Sequence, residues 1–276
     1  ALAYAALGQG YMELVHSVLP KMEAMSRARA AIEKAIELDP TLAEAHMALG
    51  LHPLYGDWDI SAAGVSLKRA MELNPSLADA WYHWAWLLEL TGDDEEAIAA
   101  GEKTVELSPL HSFYIAWLAD QYRDVGNYEK AIELAESVIA LSPGFPVAWL
   151  VLGGVYGEQG RFDEAIAAHE HLAGMPYWEF ALGQTYAWAG QPEKALEIAQ
   201  GYEREPSKGI ALAIIYAALG DVDKTLYWSK HARENRFPWA LGLFSYFTAT
   251  RSMLENPRIQ TEAELYPVPL VPYPKD

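Results

Sequence analysis

Cysteine is absent from the 276 residues. That excludes disulfides, thiolate metal sites and a cysteine nucleophile, and it leaves the compartment open between the cytoplasm and an extracytoplasmic domain. Long apolar runs are missing too. Hydrophobic residues make up 51% of the chain, yet no run approaches the ~18 residues that cross a bilayer, and no basic-plus-apolar leader is recognisable. Basic residues are scarce, 20 Lys and Arg against 38 Asp and Glu, for a formal net charge of −18. Such a surface repels phosphate backbones and anionic lipid, so neither nucleic-acid binding nor membrane insertion is expected through this region. It keeps an apolar-rich chain soluble, or it faces a basic partner. Phosphate loop, dinucleotide fingerprint and nucleophile elbow are all missing. No catalytic residue, cofactor or metal is expected.

What the chain does contain is repetition. AIELDPTLAEAH (Ala35 to His46) returns as AMELNPSLADAW (Ala70 to Trp81), and endings of the form xxxLxP close at Pro40, Pro75, Pro109 and Pro143. A period of about 34 residues marks a helical repeat array. Within Ala78 to Pro109, apolar residues recur at helical spacing through Trp81, Trp84, Ala85 and Leu88. Thr91-Gly92-Asp93 then breaks the helix, and a second amphipathic stretch through Ala97, Ile98, Gly101, Val105 and Leu107 runs to the stop at Pro109. This is a helix–turn–helix hairpin in which Ala85 and Ala97 are small because the two helices cross there. Beyond Pro143 the period shortens: Tyr156, Tyr186 and Tyr216 are 30 apart, as are Gly160, Gly190 and Gly220. Shorter second helices are expected from that point on.

These positions resemble the tetratricopeptide repeat. AWLVLGGVYGEQGRFDEA supplies Trp149, Leu152, Gly153, Tyr156, Gly160, Phe162 and Ala165 in the order of the family pattern, and Ser112 to Pro143 supplies Ala119, Tyr122, Gly126, Tyr128, Ala131 and Pro143. The resemblance implies an all-α fold, a right-handed α-α superhelix of about seven hairpins at 1–40, 41–75, 76–109, 110–143, 144–175, 176–206 and 207–236. A cap at 237–262 follows, its aromatics Phe237, Trp239, Phe244, Tyr246 and Phe247 covering the last apolar face. The whole array spans 1–262, and a Pro-rich extended tail occupies 263–276. The first copy carries an insertion, VHSVLPKMEAMS, in its turn, and Pro53 should end or kink the first helix of the second copy. ALAYAALGQGY at the start reads like the middle of a helix, as in a piece of a longer or processed protein. GDWDISAAGVSLKRAMELNP and NPRIQ resemble the repeat region of bacterial multidomain signalling proteins, in which such arrays follow a winged-helix domain, a cyclase or a kinase.

Two acidic features read as helix starts. Asp57 and Asp59 flank Trp58 where they can cap the next helix, and Asp93 to Glu96 places negative charge at a helix N-terminus. His169-Glu170-His171 lacks the spacing of paired zinc ligands and is expected on a solvated helix face.

The resemblance also implies a function, protein–protein interaction through a concave groove lined by the first helix of each hairpin. The groove places it assigns are Asp79, Tyr82, His83, Trp86, Glu89 and Leu90; Phe113, Ala116, Trp117, Asp120, Arg123 and Asp124; Val147, Leu150, Val151, Gly154, Gly157 and Glu158; and Tyr177, Phe180, Gln184 and Trp188. Aromatics among carboxylates suit an extended ligand with apolar and basic side chains. Trp81, Trp84 and Trp149 read as packing residues, whereas Trp86, Trp117 and Trp188 fit packing and groove equally. The Lys/Asn/Arg set that grips a C-terminal carboxylate in cochaperone members is missing. The tail YPVPLVPYPKD forbids helix and reads as a free end, a plug for the groove, or a link to a second copy. A regulatory or self-associating module of a larger signalling protein is the alternative reading.

Overall fold

The computed structural model describes residues 1–13, 21–175, 177–244 and 247–270, and every regular element among them is helical. The helices run in chain order as α1 (Leu2–Glu13), α2 (Lys21–Leu38), α3 (Ala43–Gly56), α4 (Ile60–Leu73), α5 (Ala78–Thr91), α6 (Asp94–Leu107), α7 (Ser112–Asp124), α8 (Tyr128–Leu141), α9 (Pro146–Glu158), α10 (Phe162–His169), α11 (Phe180–Trp188), α12 (Pro192–Tyr202), α13 (Gly209–Ala218), α14 (Val222–Glu234), α15 (Thr248–Arg251) and α16 (Pro257–Ala263). From α1 to α14 they pack as successive antiparallel pairs, and the second helix of each pair lies against the first of the next. The result is an α-α superhelix.

Local chemistry sets the pairs. Gly92, Gly126, Gly160, Gly190 and Gly220 have φ between 72° and 79°, a left-handed conformation that glycine adopts without a Cβ penalty. Each lets the next amide reach back five residues to the carbonyl of the ending helix, as in Asn127 N to Tyr122 O at 2.8 Å and Gln191 N to Tyr186 O at 2.8 Å. Asp59, Asn127 and Asp221 then accept a backbone N–H of the following helix.

The repeated phrase also has a second use. The side chain six residues after the closing proline reaches back to that proline's carbonyl: His46 to Pro40 at 2.8 Å, Trp81 to Pro75 at 2.9 Å and Trp149 to Pro143 at 2.7 Å. These side chains clamp the turn between hairpins. Trp81→Phe keeps the ring and loses the donor, so a loss of about 1 kcal/mol is expected in urea unfolding. An unchanged midpoint would show that the clamp carries no net weight.

Three sequence expectations need correction. Pro53 does not end α3, which continues to Gly56, and the Pro53 carbonyl accepts from Asp57 N at 2.9 Å and Asp59 N at 3.1 Å. The proline removes only its own N–H from the ladder, and the bonds to its carbonyl close the helix. The shortening beyond Pro143 is not confined to the second helices: α10, α12 and α14 have 8, 11 and 13 residues against 14 in α6 and α8, and the first helices α11 and α13 shorten as well, to 9 and 10. His169 is not on a solvated face. It is 4% exposed, with Nδ1 2.8 Å from Thr185 Oγ1 and Nε2 3.0 Å from the Leu150 carbonyl, and burial pushes it down to about 4. His171 is exposed and stacks on Trp149 at 3.7 Å.

A Cβ at Gly153 would lie 2.3 Å from the His169 ring. That glycine is the close approach of α9 and α10. Gly153→Ala is expected to cost about 1–3 kcal/mol by forcing the two helices apart, measured as a urea midpoint shift. No shift would mean that the imidazole simply moves aside.

Of the insertion in the first hairpin, 15–20 lies outside the described residues, and the rest lengthens α2 to 18 residues. Tyr246 of the expected cap and 271–276 of the tail also lie outside them.

Candidate protein-binding groove

The first helices of the pairs bring the implied groove residues together in two groups. The first is aromatic and joins α5 to α7. Tyr82 contacts Phe113, Tyr114 and Trp117 with ring centroids 5.2, 5.7 and 5.6 Å away, and Phe113 stacks on Trp117 at 6.1 Å. The Tyr114 hydroxyl donates to Asp79, whose carboxylate stays exposed at the rim. His83 lies beside Tyr82 at 4.7 Å, and burial pushes its imidazole down to about 4 against the opposing pull of Asp79.

The second group is charged. Arg123 Nη2 lies 3.0 Å from Asp120 Oδ1 and 3.0 Å from Asp124 Oδ1, and its Nε is 3.8 Å from Glu158 Oε1 of α9. A Cβ at Gly154 would meet Arg123 Nη1 at 2.6 Å, so α9 is bare there and the guanidinium lies across it. Glu89 of α5 joins the same cluster. Burial raises the Glu89 carboxyl well above the carboxylate range, and Asp124 and Asp120 add to the effect. Asp124 is pushed up to about 7, mainly by burial and against the pull of Arg123. Asp120 is raised by burial as well. Burial thus raises Glu89, Asp120 and Asp124 together, and for the two aspartates it does so against the pull of Arg123.

The sign of the resulting pH dependence follows directly. In the unfolded chain the Asp124 carboxyl ionises near 4, and in the fold near 7. Between these values the folded state carries more protons, so its contribution to stability is complete below about 4 and is lost as pH rises through 7. Asp124→Asn should flatten the fall in stability between pH 5 and 7 by up to ~1.4 kcal/mol per pH unit. Urea midpoints at pH 5, 6 and 7 measure it, and a slope equal to the parent's would place the proton elsewhere.

The remaining implied residues lie farther along. Trp188 rests its ring over Gly157, where a Cβ would come within 3.4 Å. Phe180 meets Phe247 edge-on at 6.3 Å, and Gln184 is half-buried. Tyr177 is exposed, with the Lys208 ammonium 4.3 Å above its ring. It stands apart from the two groups. Among the described residues no cluster of three or more His, Asp or Glu could hold a metal ion, and no helix is long and apolar enough to cross a membrane.

The sequence did not reveal what lies against these residues. Residues 236–244 and 247–254 lie between α14 and α16 against the inner face, and α16 packs on α14 through Arg233–Glu262 at 2.8 Å and Arg258–Asp223 at 2.8 Å. On this path Trp239 packs between Trp86 and Trp117, at 5.3 and 5.7 Å. Thr248 Oγ1 donates to Glu158 Oε1 at 2.6 Å, and Arg236 pairs with Asp57 at 3.1 Å. The expected cap thus does more than cover the last hairpin. The described residues of this strap touch helices from α3 to α13, as a segment along the inside of a curved array does. The described part of the tail is folded too: Tyr266 stacks on Trp58 at 5.7 Å and donates to the Ser229 carbonyl at 2.8 Å.

Comparison with known proteins agrees with this architecture. Tetratricopeptide repeat models match residues 56–112 and 122–174. No curated protein matches the chain. A tetratricopeptide repeat protein from Parabacteroides merdae has a similar fold, with a TM-score of 0.59 at 15% identity over 88% of this chain and 99% of that one. PilF of Pseudomonas aeruginosa gives 0.57 at 20% identity over 73% and 90%. PilW, a type IV pilus biogenesis factor, gives 0.53 at 16% identity over 95% and 98%. At these identities the likeness is one of fold. With the turn glycines, the paired helices and the two matched stretches, it makes this chain a tetratricopeptide repeat protein, an α-α superhelix of the kind that serves as a protein-interaction scaffold.

Proposed function

We propose that this repeat protein is a non-catalytic scaffold that holds an extended segment of a partner protein along its inner face, and that the segment carries apolar and basic side chains. The observation that supports the reading is the lining itself. Tyr82, Phe113 and Trp117 form one continuous aromatic surface, and next to it Asp120, Asp124 and Glu158 share a single guanidinium, with the Glu89 carboxyl in the field of both aspartates. Rigid aromatics bury large area at low entropic cost, and an acid-rich hollow favours Lys or Arg while it repels phosphate. The alternative, a regulatory module of a larger signalling protein, is favoured by one feature, the strap of the chain's own residues on that face.

Selection of random peptides displayed on phage against the full chain tests the scaffold reading. Enriched sequences should combine aromatic or aliphatic residues with Lys or Arg, and Phe113→Ala should weaken them at least tenfold. Acidic enriched sequences, or affinities that Phe113→Ala leaves unchanged, would count against it.

A further inference from the structure

We infer that residues 236–244 and 247–270 are a permanent brace that fastens the last hairpin to the second, holds the superhelix at one curvature and makes its two ends unfold as one unit. The brace goes beyond the proposed function: it sets the geometry in which the inner face meets any partner, so that the lining is preformed rather than adjusted on binding.

In an array whose units touch only their neighbours, the second and third hairpins reach the sixth and seventh only through the fourth and fifth. Here the buried core takes a shorter route. Met47, Leu54 and Trp86 share one continuous cluster with Leu212, Phe244 and Tyr266. Ile115, Val151 and Ala168, which lie between them in the chain, belong to a separate cluster. The brace sits at the junction. Its 3-10 turn Pro238–Gly242 packs on α3, Trp239 packs on Trp86 at 5.3 Å, and Tyr266 stacks on Trp58 at 5.7 Å while meeting Phe244 edge-on at 5.4 Å. Leu241 and Leu243 are fully buried. These residues are core, not a cover.

The backbone marks the same junction. Among the described residues, Trp58 and Arg236 are the non-glycine residues with a left-handed conformation, at φ 62° and 47°. Large side chains rarely adopt it, and it persists where the surroundings hold it. Tyr266 covers Trp58. Arg236 pairs with Asp57 at 3.1 Å, 179 residues away in the chain, and its carbonyl accepts from Lys21 Nζ at 2.8 Å. The Arg236–Asp57 pair is exposed and adds little by itself. The buried rings carry the joint.

Loosening the brace should therefore loosen both ends, whereas a nearest-neighbour array loses only the end that carries the substitution. Native-state hydrogen exchange, read by mass spectrometry on the full chain, tests this with Tyr266→Ala. Amides of α3 and α4 should exchange about tenfold faster than in the parent, together with those of α13 and α14, and α8 of the separate cluster should change less. Tyr266→Phe keeps the ring and loses only the bond to the Ser229 carbonyl, so it should retain most of the protection of α3 and α4. Acceleration confined to α13–α16 would overturn the inference.

A second measurement decides the matter if Tyr266→Ala does not fold. Because the protein has no cysteine, Asp57→Cys/Arg236→Cys places one pair of thiols at the junction. A short thiol cross-linker should bridge them in native buffer, and the bridge should raise protection at α3–α4 and at α13–α14 together, by about tenfold. Failure to bridge, or a rise at one end only or at neither, would overturn the inference.

Discussion

Trp86→Ala is expected to lower the stability of the chain by about 3–5 kcal/mol. The indole is 1% exposed and lies between Tyr55, at 5.9 Å, and Trp239, at 5.3 Å. Truncation therefore removes contacts on two sides, one within the repeat array and one to the strap, and nothing short of a rearranged strap can fill the space. The aromatic pairing adds a smaller contribution. A double-mutant cycle with Trp239→Ala should return a coupling of about 0.5–1.5 kcal/mol. Urea unfolding followed by far-UV circular dichroism measures both. A loss below 1 kcal/mol, or zero coupling, would mean that Trp239 does not pack on Trp86 in solution.

Arg123→Ala is the second large effect, about 3–5 kcal/mol at pH 7.5. Its side chain is 11% exposed and serves Asp120, Asp124 and Glu158 at once. Removing it leaves these carboxyls and Glu89 enclosed with no cation. Each must then either stay charged without a partner or take up a proton. The second course becomes easier as pH falls, so the deficit should shrink steadily between pH 7.5 and 5. The sign is that of raised carboxyls, which favour the folded state at low pH and lose that contribution as pH rises. Arg123→Lys should recover only part of the loss, since the guanidinium meets Asp120 and Asp124 through Nη2 and Glu158 through Nε, a spread that one ammonium does not cover. A deficit independent of pH would point to lost packing over Gly154 rather than to lost charge.

Much of the architecture was legible because its signals are local. A left-handed turn needs glycine wherever it occurs, so Gly92, Gly126, Gly160, Gly190 and Gly220 mark the turns within hairpins without reference to anything distant. Closing prolines and crossing alanines are read the same way, since both act within one hairpin. Reading failed where the answer depends on a neighbour. His169 looked like a surface residue because His169-Glu170-His171 is a polar run, but its imidazole is buried against Thr185 of the next hairpin. Trp86 fitted packing and groove equally, and the structure shows an inward-facing indole that a distant part of the chain covers. Gly154 and Gly157 stood at groove places with no visible purpose until Arg123 and Trp188 were seen to lie over them.

The sequence by itself determined which residues stack. Period, turn chemistry and amphipathic spacing act over one or two hairpins, and such interactions suffice to build an array whose units touch only their neighbours. Only the tertiary structure decided what that array encloses. The placement of residues 236–244 and 247–254 depends on the accumulated curvature of seven helix pairs, a sum of small rotations that no local pattern records. That curvature brings Trp239 to Trp86 and Trp117, and Arg236 to Asp57.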